Sequence, residues 1–126
     1  MAALRNMFWR SSIEKLSAKQ LRELQSKRLR SIVNHAYENS PFYRRIFKER
    51  KLRPSSIRTI DDVTRLPFTW KKDFRDNYPL GLLAVPLAKV VRLHVSSGTT
   101  GDPTVVAYTR RDLENWSECI ARCLTM

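Results

Sequence analysis

Glycine, cysteine and histidine are scarce in this 126-residue chain, with three, two and two of them respectively. Three glycines exclude collagen-like repeats and Gly-rich linkers. Two cysteines, Cys119 and Cys123, cannot build a disulfide framework and do not supply the four-ligand pattern of a structural zinc site. One helical turn apart, they read as two small half-buried thiols of a reduced, cytoplasmic protein. No uninterrupted run of about 18 apolar residues occurs, so no membrane-spanning segment is expected. Acid is also scarce, but only in one half. Residues 1–60 hold 15 basic and 4 acidic side chains, whereas residues 61–126 hold 9 and 8. With a net charge of +12, the first class of partner to consider is an anion: nucleic acid, an anionic membrane surface or a polyphosphate.

What is present narrows the class. At 42% hydrophobic and 10% aromatic, the chain is too apolar for a disordered tail, and its length suits one modest domain. The segment from Met1 to Ser12 has two arginines and no acid, a faint likeness to a mitochondrial presequence. It has no continuous apolar core and Glu14 follows at once, so no cleaved targeting peptide is expected.

Ser17 and Gln20 form a capping-box pattern ahead of a long helix. Behind them Leu21, Leu24, Arg28, Leu29, Ile32, Val33, Ala36 and Tyr37 recur at helical spacing, with Arg22, Lys27 and Arg30 on the other faces. Asn39-Ser40-Pro41 ends this helix and begins a second, with Ser40 as N-cap and Pro41 at the first helical position. The second runs from Pro41 to about Lys51. It buries Phe42, Ile46 and Phe47 and exposes Arg44, Arg45, Lys48 and Arg50, so most of the N-terminal charge falls on solvent faces.

Pro54, Pro67, Pro79 and Pro86 then punctuate short turns. Thr59 with Asp62 gives one cap, and Thr69 ahead of a helix from Trp70 to Asp76 gives another. The period changes to that of strands at Val90–Val95 and again at Thr104–Tyr108. Thr109 with Asp112 caps a last helix whose Leu113, Trp116, Ile120 and Leu124 share a face. His94 reads as a strand residue beside the candidate site and His35 as a helix-surface or packing residue; no activated nucleophile accompanies either.

Between the two strands lies Ser96-Ser97-Gly98-Thr99-Thr100-Gly101-Asp102-Pro103-Thr104. Four hydroxyls and two glycines fall within its first six residues. Glycine lets the backbone turn with φ > 0, and successive N–H groups in such a turn form an anion-binding concavity to which hydroxyls add donors. The composition suits a phosphate cradle, although by composition alone such a turn between strands is more often just a hairpin. It is neither a P-loop, which needs a lysine after the second glycine, nor a dinucleotide fingerprint.

The wider string is more specific. The loop resembles the phosphate loop of adenylate-forming enzymes, and its flanks resemble one branch, the phenylacetate–CoA ligases. The first block of likeness runs from His35 through Ser40-Pro41-Phe42-Tyr43 to Arg45. The second is Leu66-Pro67-Phe68-Thr69 with Lys71 and Asp73, followed by Arg75-Asp76-Asn77-Tyr78-Pro79. Val91-Arg92-Leu93-His94 enters the loop and Thr104 to Thr109 leaves it as the family does. The likeness covers about residues 13–126.

That resemblance implies an α/β fold: an N-terminal helical lid over residues 1–66, then the first strand–loop–strand–helix unit of an adenylate-forming domain, residues 67–126, incomplete as it stands. It implies a two-step activity. A carboxylic acid, by default phenylacetate, attacks the α-phosphorus of Mg-ATP to give an acyl-adenylate and pyrophosphate; the thiol of coenzyme A then displaces AMP. Ser96, Ser97, Gly98, Thr99, Thr100, Gly101 and Thr104 would hold the β- and γ-phosphates, electrostatic catalysis by prearranged donors. Lys71 is implied as a cation over the same phosphates, although from spacing alone it reads equally as a solvated lysine. The implied ligands are ATP, Mg2+, coenzyme A and an aryl carboxylate. No membrane and no specific nucleic acid are expected, and a homodimer of the complete enzyme is left open.

Two departures qualify the likeness. Asp102 stands where such loops usually carry lysine, which should weaken polyphosphate binding by on the order of 1 kcal/mol if screened by solvent. The family also runs to several hundred residues, so the acyl pocket, the adenine- and ribose-binding motifs and a C-terminal domain with a catalytic lysine lie outside this sequence. The isolated chain is expected to be inactive, marginally stable and aggregation-prone, an incomplete gene product or an excised piece. Three alternatives stay open: a non-catalytic regulatory or interaction fragment, a synthetase adenylating for another acceptor such as a deazaflavin coenzyme, and a basic nucleic-acid-binding module.

Overall fold

The computed structural model describes residues 8–96 and 103–125. Helices dominate, with one small antiparallel sheet: α1 (Ser11–Glu14), α2 (Ala18–Asn39), α3 (Pro41–Glu49), 3-10 turns at Pro54–Ser56 and Ile60–Arg65, α4 (Lys71–Asp76), a short 3-10 segment at Leu87–Lys89, β1 (Val90–Val95), β2 (Val105–Thr109) and α5 (Arg110–Thr125).

The expected capping box starts α2: the Gln20 N–H donates to Ser17 Oγ at 3.3 Å and the Ser17 N–H to Gln20 Oε1 at 3.0 Å. Each satisfies one otherwise orphaned donor. Of the apolar stripe, Val33 is buried and Leu29 and Tyr37 pack against the core, while Leu21 and Ile32 remain exposed. Among the described residues α2 is contacted mainly by α3 and the two 3-10 turns, so only the part of the stripe facing them is covered.

At the elbow between α2 and α3, Ser40 takes an extended backbone (φ −111°, ψ 117°) and Pro41 fills the first helical position. Ser40 is the N-cap residue, but its side chain does not cap. The hydroxyl is fully buried and donates instead to the Leu82 carbonyl, at 3.3 Å. Arg44 closes the C-terminus of α2: its Nε donates to the Tyr37 carbonyl at 3.1 Å and its Nη2 to that of Glu38. A cation thus meets the negative end of the helix dipole. The basic face is exposed, as expected, but it is not all idle charge.

Helix α3 stops at Glu49, two residues before the expected Lys51. Lys51 adopts φ 51°, the Leu52 N–H reaches back to the Phe47 carbonyl at 2.9 Å and the Lys51 N–H to that of Lys48 at 3.0 Å. This is a Schellman closure with lysine in the left-handed position, and it turns Leu52 onto the core. That core is Val33, Phe47 and Ile57, edged by Leu29, Tyr37, Leu52 and Leu66, with the Tyr37 and Phe47 rings 5.8 Å apart.

Polar ties fasten the 3-10 turns to α2. Ser26 Oγ accepts from the Ile60 N–H at 2.9 Å while donating to the Arg22 carbonyl at 2.7 Å. Arg22 pairs with Asp61 at 2.5 Å, and Arg30 donates to the Arg58 carbonyl. Asp62 accepts from the backbone N–H of Thr59 and of Arg58 and from Arg65. Those three donors, the backbone pair foremost, hold its carboxyl well below the usual carboxylate range.

Helix α4 begins at Lys71, one residue later than expected. Asp73 caps it by accepting from the Trp70 N–H at 2.7 Å. The Thr69 hydroxyl does not cap; it bonds the Tyr43 hydroxyl at 3.0 Å, bridging to α3. After α4 the Gly81 N–H donates to the Asn77 carbonyl at 2.8 Å, and a Cβ on Gly81 would lie 2.7 Å from the Cβ of Asn77. Only glycine fits there.

Strands β1 and β2 pair antiparallel, His94 opposite Val106 and Arg92 opposite Tyr108, with an irregularity between Val90 and Arg92. β2 begins at Val105 and extends to Thr109, one residue later at each end than expected. Thr109 and Asp112 make the predicted cap of α5, with the Thr109 N–H 2.8 Å from Asp112 Oδ2. Two crossed ion pairs join α5 to the first helical turn: Arg10 with Glu118 at 3.4 Å and Arg122 with Glu14 at 3.2 Å. The half-buried thiols expected on α5 are a correction. Cys119 and Cys123 are both exposed, because they share the stripe of Trp116, Ile120 and Leu124, itself uncovered.

Candidate functional site

Hairpin pairing carries past the last residue of β1. The Ser96 N–H donates to the Thr104 carbonyl at 3.0 Å, and the Thr104 N–H donates to Ser96 Oγ at 3.0 Å. The two hydroxyl oxygens are 2.8 Å apart, one donating to the other. Three hydrogen bonds therefore close a neck beneath the loop. Of the two hydroxyl hydrogens at that neck, one is spent internally and one is left to serve another acceptor.

Among the sequence-derived site residues, Ser96 and Thr104 are thus brought together. Ser97, Gly98, Thr99, Thr100 and Gly101, with Asp102, lie outside the described residues. Lys71 is the exposed first residue of α4. No hydrogen bond or ion pair among the described residues ties Lys71 to Ser96 or Thr104. Its neighbour Lys72 pairs with Asp76, whose hydrogen bond and charge raise the ammonium pKa.

The sequence left one constellation unassembled. His94, Tyr108 and Trp116 form a three-ring cluster: His94–Tyr108 centroids are 4.8 Å apart, His94–Trp116 5.5 Å and Tyr108–Trp116 5.9 Å. Side chains two residues apart on a strand share a face, and so do residues directly opposite in an antiparallel pair. The cluster consequently lies on the face that carries the Ser96 and Thr104 hydroxyls. The available signal was the two-residue step from Ser96 back to His94; the contribution of Trp116 required knowing which way α5 folds back. His35 behaves as expected for a helix surface, with its carbonyl accepting from Asn39 Nδ2 at 2.9 Å.

No protein-family model matches the chain. Individual relatives do. It is 50% identical over 112 residues to a phenylacetate–coenzyme A ligase of Aromatoleum evansii, covering 89% of this chain and 26% of that protein. To the ligase of the same name from Thermus thermophilus it is 48% identical over 118 residues, 94% of this chain and 26% of the other. By sequence the chain is similar to the phenylacetate–CoA ligases, over their N-terminal quarter. It thus spans about a quarter of the length of the curated relatives it matches.

The fold agrees with the adenylate-forming ligases. A 2-hydroxyisobutyryl-CoA ligase, solved with 2-HIB-AMP and CoA in the thioesterification state, superposes with a TM-score of 0.83 at 27% identity. That match covers 99% of this chain and 28% of the other. The same enzyme in the postadenylation state with 2-HIB-AMP gives 0.82 at 26% identity, over 99% and 27% of the two chains. Among the described residues no helix is long and apolar enough to cross a membrane.

Proposed function

We propose that the chain is the N-terminal part of an ATP-dependent aryl–CoA ligase and carries its triphosphate-binding loop, with residues 1–66 as a helical lid and 67–126 opening the adenylate-forming domain. The observation that carries this reading is near-50% identity over nine-tenths of the chain to phenylacetate–CoA ligases, spanning the hairpin whose neck Ser96 and Thr104 close.

The chemistry of the residues fits. The loop offers hydroxyls and glycine-flanked N–H groups to the β- and γ-phosphates, where prearranged donors neutralise charge on the departing pyrophosphate. Ser96 and Thr104 serve chiefly as the brace, with one hydroxyl hydrogen to spare. Lys71 is assigned as a cation over the same phosphates. Mg2+ bound to the triphosphate would supply further neutralisation. The acid is an aryl carboxylate, and coenzyme A accepts the acyl group.

The test replaces the N-terminal quarter of the Escherichia coli phenylacetate–CoA ligase, 49% identical over 112 residues, with this chain. Pyrophosphate release dependent on aryl carboxylate and Mg-ATP is expected from the chimera and none from the isolated chain. A soluble, folded chimera that releases no pyrophosphate overturns the reading. Release of AMP that does not depend on coenzyme A points to a different acceptor. Salt-sensitive binding of the chain to random DNA, with no ATP binding, favours the nucleic-acid module instead.

A further inference from the structure

We propose that His94 is a positioning residue: its ring, wedged between Tyr108 and Trp116, fixes the Ser96–Thr104 neck against α5. This rests on the reading of the loop as a triphosphate site, and it assigns a role to side chains outside the loop.

A two-stranded hairpin is marginal by itself and needs a helix or further strands against one face. Here the two faces differ. On one, Val91, Leu93 and Val95 are all more than half exposed, and of the described strand residues on that face only Val105 is buried. On the other, the ring cluster is the contact that joins β1, β2 and α5 at once. His94 meets Trp116 nearly edge-on, at 72°, while Tyr108 and Trp116 stack at 24°. Such ring pairs contribute beyond the area they bury.

His94 stands one side-chain step from Ser96, and Tyr108 stands two from Thr104 on the opposite strand. The three rings tie β1 and β2 to α5 one side-chain step below the neck, so the hairpin cannot turn away from α5 without parting them. A neck held before the ligand arrives spares Ser96 and Thr104 an ordering cost on binding.

The experiment compares the full chain with His94→Ala, His94→Phe and Trp116→Leu. It follows hydrogen exchange at the Ser96 and Thr104 amides, with Mg-ATP affinity measured by calorimetry. His94→Ala is expected to speed exchange at both neck amides at least tenfold and weaken Mg-ATP about tenfold. Amides of α2 and α3 should keep their protection, and His94→Phe should restore both readouts. Neck exchange within twofold of wild type in His94→Ala overturns the proposal. If His94→Ala melts β1 altogether, Trp116→Leu decides. Faster neck exchange with Val91–Val95 still protected supports positioning, and an unchanged neck overturns it. Failure of the wild-type chain to bind Mg-ATP, with the neck effect present, leaves the positioning standing and the triphosphate reading to the chimera, which alone carries the adenine- and ribose-binding parts. Intact binding with no neck effect removes only the positioning.

Discussion

The helical region from α2 to Leu66 and the hairpin with α5 solve the same problem with opposite materials. In the first, Val33, Phe47 and Ile57 are almost fully shielded, and polar side chains such as Ser26, Arg30 and Asp62 fasten turns around them. In the second, only Val105 is buried among the hydrophobics, while Leu93, Val95, Ile120 and Leu124 face outward. There the order comes from strand pairing, a Thr–Asp cap, three rings and ion pairs. The difference shows which part of the chain is shielded by its own residues and which part is not. An apolar stripe is only a core if something lies opposite it.

The largest effect that would sharpen this contrast is Phe47→Ala. Removing a fully buried phenyl ring should cost about 3–5 kcal/mol in urea denaturation monitored by helical circular dichroism, enough to unfold the helical region. An effect below about 1 kcal/mol would deny that the region has a core. Next, Thr109→Ala should cost about 1 kcal/mol and loosen α5 alone, seen as faster amide exchange over residues 110–114 with α2 unaffected.

Asp62→Asn tests the polar fastening of the helical region through pH. The native carboxyl titrates below its unfolded value, so its contribution is complete above the ordinary carboxylate range, about pH 4. It is lost as pH falls through the depressed native value. Thermal melts should therefore show a constant deficit for the variant at neutral pH and a narrowing one in acid. A deficit independent of pH would assign the effect to packing. The smallest effect belongs to Leu124→Lys, at a residue 82% exposed: stability within about 0.5 kcal/mol of wild type, but less self-association in light scattering. A larger loss would mean that the stripe on α5 is covered after all.

What the sequence made legible was whatever is written locally. The Ser17–Gln20 and Thr109–Asp112 boxes, the elbow at Ser40-Pro41 and both strands follow from short-range chemistry, and the loop residues carry a strong likeness. Element edges drifted where a tertiary partner outbid a local one. Thr69 and Ser40 gave their hydroxyls to Tyr43 and Leu82, and a Schellman turn ended α3 early. Burial failed where it depends on what lies opposite, as at Ile32, Cys119 and Cys123. The ring cluster beside the neck joins residues 14 and 22 positions apart around a hairpin, which no local pattern specifies.

The crossed pairs Arg10–Glu118 and Arg122–Glu14 carry a consequence for folding kinetics. They close a loop of more than a hundred residues, and the entropy of such a closure must be met before either pair can form. Each element gives one cation and one anion a turn apart, in opposite order, so the two match in a single register. A helical region with local contacts is expected to form ahead of so distant a pairing, which leaves the seating of α5 to the end. That last step should slow and weaken with added salt, while the first step does not.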